Sequence, residues 1–120
     1  MKNYFLILFI LVAGTTISCQ THGETSSVNS ISHIDFTNGK NILLDVRTPE
    51  EFAEGHIPNA INLDVNSENF DSKIKELDPD KTYYVYCRSG KRSTKAVNKL
   101  HQEGFHDLVH LKDGYSNYKE

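Results

Sequence analysis

Short apolar runs alternate with amphipathic stretches along most of the chain, and this alternation is the feature that most constrains its fold. The apolar runs suit buried strands and span residues 41–46, 60–65, 82–87 and 105–111. Patterns with helical spacing lie between them, at residues 48–55, 67–77 and 93–104, and a short helix is predicted near the end of the chain. Strands separated by helices pair in parallel through right-handed crossovers. The sequence therefore predicts an α/β fold, with a small parallel β-sheet flanked by helices on both faces.

The first predicted helix has clear start and stop signals. Thr48 can cap it, Pro49 suits its first position, and Glu51 lies where a capping box needs an acid. Gly55 is a suitable end for the helix. These signals place the helix directly after the first apolar strand.

The N-terminal residues are typical of an export signal. Lys2 precedes the apolar run YFLILFILVAG, which is shorter than the roughly 20 apolar residues of a membrane span. The following TTISC resembles the lipobox of bacterial lipoproteins, which implies a lipid on Cys19 that anchors the protein to a membrane. We expect an exported protein of the periplasm or cell envelope. Ordinary cleavage after Ser18 and an uncleaved anchor are the alternatives.

The chain divides into three segments on these patterns. Residues 1–18 are the predicted signal peptide. Residues 19–30 are polar, rich in Ser and Thr and without an apolar period, so they predict a flexible tether. Residues 31–120 are predicted to form one folded domain.

Charge argues against a general nucleic-acid or anionic-membrane binder. The whole chain has 13 basic and 16 acidic residues. Residues 1–18 contain one lysine and no acid, so removing them leaves 12 basic and 16 acidic residues, a formal charge of −4. A partner bound through its phosphates would favour a basic domain instead. The positive charge that does exist is concentrated locally, at residues 88–92.

The two cysteines, Cys19 and Cys87, have separate predicted roles. A lipidated Cys19 is a thioether and cannot form a disulfide, which leaves Cys87 as a lone thiol. In an oxidising compartment a lone thiol is a liability unless the protein uses it. The sequence thus favours a functional role for Cys87.

The loop after the third apolar strand offers the chemistry that a reactive thiol needs. Cys87 is followed by RSGKRS, residues 88–93, at the predicted start of a helix. Unpaired N–H groups at that start and the nearby cations favour a thiolate, the nucleophilic form of cysteine. Gly90 allows a positive φ, so that successive N–H groups can surround the sulfur. The carboxyl ends of parallel strands form the usual binding edge of such a sheet, and residues 45–47 lie at the same edge.

Two chemistries suit such a loop, sulfur transfer and phosphate-ester cleavage, and its length separates them. Cysteine-based tyrosine phosphatases have an arginine six residues after the cysteine. Here that residue is Ser93, and Arg92 comes one residue too early. The phosphatase pattern is not met.

Four segments of the chain resemble the rhodanese domain, the sulfurtransferase module. They are LLDVRTPEEFAEGHIPNAINL (43–63), YVYCRSGKRS (84–93), AVNKLHQEGF (96–105) and LKDGYSNY (111–118). The departures lie in the last segment, where Asp113 replaces the first of two glycines and Tyr118 replaces a common tryptophan. The resemblance covers about residues 31–120.

The resemblance implies a mechanism and a set of site residues. Cys87 would attack the outer sulfur of a donor such as thiosulfate, become a persulfide, and pass the sulfur to a thiophilic acceptor, a thiol or a protein. The backbone N–H groups of the loop would hold the persulfide, and its cations would hold an anionic donor. The implied binding residues are Arg88, Ser89, Gly90, Lys91 and Arg92.

Four further residues are predicted to support this loop. Asp45 and Arg47 would form an ion pair at the edge of the sheet, with Glu51 as a possible further partner. His56 would be a hydrogen-bonding brace in its turn, and Ser93 follows the loop directly. Direct chemistry is not expected of these residues.

No cofactor or metal is expected. His106 and His110 are four residues apart, but they lie in a predicted strand, where they would share one face without forming a helical metal motif. Two other functions stay open. One is a persulfide carrier with little or no catalysis that serves a protein partner, and the other is a cysteine phosphatase or arsenate reductase.

Overall fold

The computed structural model describes residues 25–118, which form a five-stranded parallel sheet with helices between its strands. The strands are β1 (Thr25–Val28), β2 (Asn41–Asp45), β3 (Ile61–Asn62), β4 (Thr82–Tyr86) and β5 (Leu108–Leu111). The helices are α1 (Pro49–Glu54), α2 (Phe70–Ile74) and α3 (Lys91–Gln102), and a 3₁₀ turn follows at Tyr115–Asn117. The strand order is β1-β5-β4-β2-β3, with every pair parallel. The predicted α/β fold is confirmed.

The predicted tether is wrong in part, because residues 25–28 form β1 at the edge of the sheet. The segment TSSV is polar and half-exposed, so it has no apolar pattern that would predict a strand. It is held by backbone pairing with β5, where Thr25 aligns with Leu108 and Val28 with Leu111. The folded domain thus includes residues before position 31. Residues 19–24, including Cys19, and the predicted signal peptide lie outside the described residues.

The first predicted helix has the ends that its sequence indicates. Thr48 is the N-cap of α1, and its side chain accepts a hydrogen bond from the Glu51 backbone N–H at 3.2 Å. Pro49 occupies the first helical position, and Gly55 follows the last. The other predicted helices shift: α2 is shorter than residues 67–77, and α3 begins two residues before position 93.

Two hydrophobic clusters cover the opposite faces of the sheet. Alternate residues of β4 divide between them, since successive side chains of a strand point to opposite faces. Tyr83, Val85 and the following Cys87 join the cluster that includes residues of α2 and α3. Tyr84 and Tyr86 join the other cluster. Cys87 therefore continues a core strand on the side that α3 covers.

Within residues 25–118, the helices are too short or too polar to cross a membrane. The same part of the chain holds no group of three or more metal-ligating side chains.

Candidate functional site

A sharp turn connects β4 to α3 and places Cys87 beneath the start of that helix. β4 ends at Tyr86, and α3 begins at Lys91. Gly90 is the N-cap of α3 with φ of 102°, a left-handed conformation that favours glycine. A Cβ atom at Gly90 would lie 2.5 Å from the backbone oxygen of Lys112, so there is also no room for a side chain. The predicted need for glycine at position 90 is thus explained by both conformation and space.

The sulfur of Cys87 accepts hydrogen bonds from the turn that surrounds it. The Gly90 N–H donates to Sγ at 3.1 Å, and the Ser93 hydroxyl lies 3.4 Å from Sγ. Burial would raise the pKa of the Cys87 thiol, but hydrogen bonds from the Ser93 hydroxyl and from the N–H groups of Ser93, Gly90 and Ser89 outweigh it and lower the pKa below its ordinary value. The turn is therefore a cradle for a sulfur anion.

Cys87 is nonetheless a buried residue, with 1% of its surface exposed. One side of it packs in the hydrophobic cluster that includes Val97 and Leu100, while the cradle covers the other. The sequence shows the composition of the loop but not this burial.

The segment after β5 holds the cysteine turn from behind. The Tyr115 N–H donates to the Cys87 carbonyl at 2.8 Å, and the Ser116 N–H donates to the Arg88 carbonyl at 3.0 Å. Gly114 makes this approach possible, because a Cβ atom there would lie 2.5 Å from both carbonyl oxygens. Gly114 also has a positive φ of 60°. Of the two glycines common at this place in the family that the sequence resembles, this chain keeps the one that the contact requires.

The two arginines of the loop pair with a carboxylate. Arg92 forms a two-pronged pair with Glu51 of α1, with Nη1 to Oε1 at 2.6 Å and Nη2 to Oε2 at 3.0 Å. Arg88 lies 3.4 Å from the same carboxylate and is 58% exposed. Hydrogen bonds from Arg92, opposed in part by burial, lower the pKa of Glu51 to about 2, so this pair is ionised at all ordinary pH values. Lys91 is exposed at the first position of α3.

The predicted ion pair of Asp45 and Arg47 is present and buried. Arg47 Nη2 lies 2.7 Å from Asp45 Oδ2, and the two side chains are 1% and 0% exposed. Arg47 also donates to the Gly55 carbonyl at 2.7 Å and stacks over the Tyr115 ring at 4.3 Å. The expected contact of Glu51 with this pair is wrong, because Glu51 turns to Arg92. The buried pair ties the edge of β2 to the end of α1 and to the closing segment.

The two remaining supporting residues lie in different places. Ser93 lies within the cradle, where its hydroxyl is fully buried. His56 is exposed, forms a hydrogen bond between its Nδ1 and the Phe52 carbonyl at 2.8 Å, and stacks on the Phe52 ring at 3.7 Å. The contacts of His56 brace the end of α1 and do not extend to the cysteine.

His110 belongs to the site, although no pattern in the sequence predicted this position. His110 on β5 contacts the Ser93 hydroxyl through its Nε2 at 2.5 Å. His106, which was expected to share a strand face with it, lies before β5 and is exposed. The spacing of these two histidines carried no signal for this contact, since it depends on which residue of α3 packs over β5.

Comparisons with known proteins match the chain to one family and one fold. The family model "Rhodanese-like domain" matches residues 32–120. The thiosulfate sulfurtransferase GlpE of Shewanella oneidensis is 35% identical over 95 residues, covering 78% of this chain and 90% of that protein. A sulfurtransferase of Allochromatium vinosum is 37% identical over 73 residues, and the match covers 61% of this chain and 66% of that protein. The crystal structure of a rhodanese-like domain protein from Staphylococcus aureus matches with a TM-score of 0.67 at 26% identity, covering 81% of this chain and 92% of the other.

Proposed function

The chain belongs to the rhodanese-like domain family, and from this premise we propose that it transfers sulfane sulfur through a persulfide on Cys87. The donor is thiosulfate or a persulfide, and the acceptor is a thiol or a thiophilic anion. The observation that supports the proposal most is the cradle around Sγ, where N–H and hydroxyl groups outweigh burial and lower the pKa of the thiol.

The proposed reaction proceeds in two balanced steps. The Cys87 thiolate attacks the outer sulfur of thiosulfate, an S–S bond forms to the protein, and the S–S bond of the donor breaks as sulfite leaves with the electron pair. An acceptor such as cyanide then attacks the outer sulfur of the persulfide, which yields thiocyanate and returns the thiolate. The cradle serves both states, since thiolate and persulfide carry one negative charge each.

The structure also supports a second candidate, the persulfide carrier for a protein partner. Cys87 is 1% exposed, and two of the three loop cations, Arg88 and Arg92, are paired with Glu51. A protein partner that binds over the loop could displace the Glu51 ion pairs through its own contacts, whereas a small donor makes too few contacts to do so. The phosphatase alternative has less support. Arg92 is paired with Glu51, and it lies five residues after Cys87, one residue too early for the arginine that binds phosphate in cysteine-based phosphatases.

Turnover with two kinds of donor separates these functions. We expect steady thiosulfate-to-cyanide turnover by the purified chain. A carrier would instead accept sulfur from a protein persulfide and turn over thiosulfate poorly. Steady hydrolysis of an aryl phosphate, with no sulfur transfer from thiosulfate or from a protein persulfide, would contradict the proposal.

Glu51 is expected to limit the affinity for an anionic donor, which Glu51→Gln would reveal. The substitution removes the charge that neutralises Arg92 and Arg88 while keeping a hydrogen-bonding side chain. A partly exposed ion pair is worth up to about 1 kcal/mol, so the KM for thiosulfate should fall by about two- to fivefold. Steady-state kinetics at low salt measure this effect, and added neutral salt should reduce it.

Glu50→Gln is the matched control, because Glu50 is the exposed neighbour of Glu51 on α1. It changes the net charge equally and should leave the KM unchanged. A raised KM in Glu51→Gln would mean that Glu51 positions Arg92 for the donor instead of competing with it.

We propose, on its N-terminal sequence alone, that the protein is exported and carries a lipid on Cys19. The predicted segment lies outside the described residues. Mass analysis of the protein extracted from membranes tests this, since a lipid would add its mass to the peptide that begins at Cys19.

A further inference from the structure

A hydrogen-bonded chain leads from the cysteine sulfur to a histidine on β5. Ser93 Oγ lies 3.4 Å from Cys87 Sγ and 2.5 Å from His110 Nε2. Ser93 is in the first turn of α3 and fully buried, and His110 is half-buried on the adjacent strand. The two steps of sulfur transfer described above do not involve His110.

Ser93 has more neighbours than its single proton can serve. Besides Sγ and His110, its hydroxyl lies 2.9 Å from the Gly90 carbonyl, which can only accept. A hydroxyl has one proton to donate and two lone pairs. The Gly90 carbonyl also accepts from the Thr94 N–H at 3.1 Å and from the Thr94 hydroxyl at 2.9 Å. The Ser93 proton can therefore turn away from Gly90 without leaving that carbonyl unsatisfied.

The tautomer of His110 decides where the Ser93 proton points. Burial and then the nearby charge of Lys112 lower the pKa of His110 and outweigh a hydrogen bond to the Gly90 backbone that raises it, so the imidazole is neutral near pH 7. A neutral imidazole donates from one nitrogen and accepts at the other. If Nε2 carries the proton, it donates to Ser93 Oγ and the hydroxyl proton is free for Sγ. If Nε2 lacks the proton, it draws the hydroxyl proton away from Sγ.

We propose that His110 is a positioning residue that donates from Nε2 to Ser93 and thereby aims the Ser93 hydroxyl at the sulfur anion of Cys87. A thiolate or persulfide can only accept at this point, which selects this tautomer. No proton moves along the chain in this arrangement, and the thiol proton leaves to solvent. The role in turnover rests on the proposed sulfur transfer, whereas the effect on the thiol itself needs no sulfur donor.

The surroundings of His110 allow this effect to be isolated. Its register neighbours are Val85 on β4 and Ser27 on β1, which carry no charge. Lys112, on its own segment, is the charged group that acts on His110, and Arg92 is the cation of α3 that interacts with the sulfur. Because His110 is neutral, replacing it removes a hydrogen-bond donor and leaves the net charge of the site unchanged.

The test is a pH titration of the Cys87 thiolate, followed by its ultraviolet absorbance. The absorbance of the same protein carrying Cys87→Ser is subtracted, which removes any contribution from Cys19. His110→Leu should raise the pKa of Cys87 by about one unit, a roughly tenfold loss of thiolate at a fixed pH below it. His110→Gln keeps an N–H donor and should recover most of the shift. His106→Leu, at an exposed position four residues away, should have none.

A Ser93→Ala background shows whether His110 acts through the hydroxyl. There, His110→Leu should produce no further shift. An unchanged pKa in folded His110→Leu, or an equal shift in the Ser93→Ala background, would overturn the proposal. Should His110→Leu not fold, ¹⁵N NMR of the unaltered protein decides, since the proposal requires a proton on Nε2 when Cys87 is a thiolate. None of these readouts depends on sulfur-transfer activity.

Discussion

Replacing Cys87 with serine should abolish sulfur transfer, with thiosulfate-to-cyanide turnover reduced by at least about 1,000-fold. The reason is that a serine hydroxyl stays protonated at neutral pH and cannot form a persulfide. The fold should survive, because a hydroxyl at this position can still accept from the Gly90 N–H, which donates to the sulfur at 3.1 Å. We expect the melting temperature to change by no more than about 10 °C.

The other cysteine provides the matched control. Cys19→Ser replaces the other cysteine of the chain, at a position predicted to serve anchoring only. Assayed as purified protein, it should keep full turnover. Turnover of Cys87→Ser at more than a few per cent of the unaltered rate would show that another group accepts the sulfur.

The largest expected effect on stability comes from Arg47→Leu. This change leaves the Asp45 carboxylate buried without its partner, and Asp45 is 0% exposed. Removing one partner of a buried ion pair costs about 3–5 kcal/mol. Because the free energy of unfolding of a small domain is only about 5–15 kcal/mol, this loss is a large share of the total stability. Urea denaturation followed by circular dichroism measures it.

Two comparisons separate the buried pair from charge effects in general. Lys99→Met breaks an ion pair with Asp71 that is partly solvent-exposed, at 29% and 64% for the two side chains. It should cost at most about 1 kcal/mol. The double variant Asp45→Leu/Arg47→Leu should lose less than the sum of its single variants, since no lone charge remains. A cost below about 1 kcal/mol for Arg47→Leu would show that Asp45 gains another partner or water.

Short sequence patterns predicted the helix cap and the turn, because these features depend on only a few neighbouring residues. The cap at Thr48, the proline after it and the left-handed turn at Gly90 each depend on a few neighbouring residues, and the structure confirms all three. The position of Cys87 at the carboxyl end of a strand followed from the alternation of strands and helices. Its role as the nucleophile stays a prediction.

Contacts between distant segments could not be predicted in this way. Thr25–Val28 is polar, and it is a strand only because the edge of β5 offers backbone partners. Glu51 reaches Arg92 across 41 residues, and His110 reaches Ser93 across 17. Both contacts depend on how α1 and α3 sit against the sheet, which no short pattern records. The loop was therefore predictable from the sequence, whereas the pairing of Glu51 with Arg92 and the contact of His110 with Ser93 were not.

The central claim is that the turn after β4 holds an anionic sulfur on Cys87. The most direct measurement is the intact mass of the reduced protein before and after thiosulfate, followed by peptide mapping under conditions that preserve persulfides. We predict a gain of one sulfur atom, located on Cys87 and removed by cyanide. No gain, or a gain that persists in Cys87→Ser, would contradict the account.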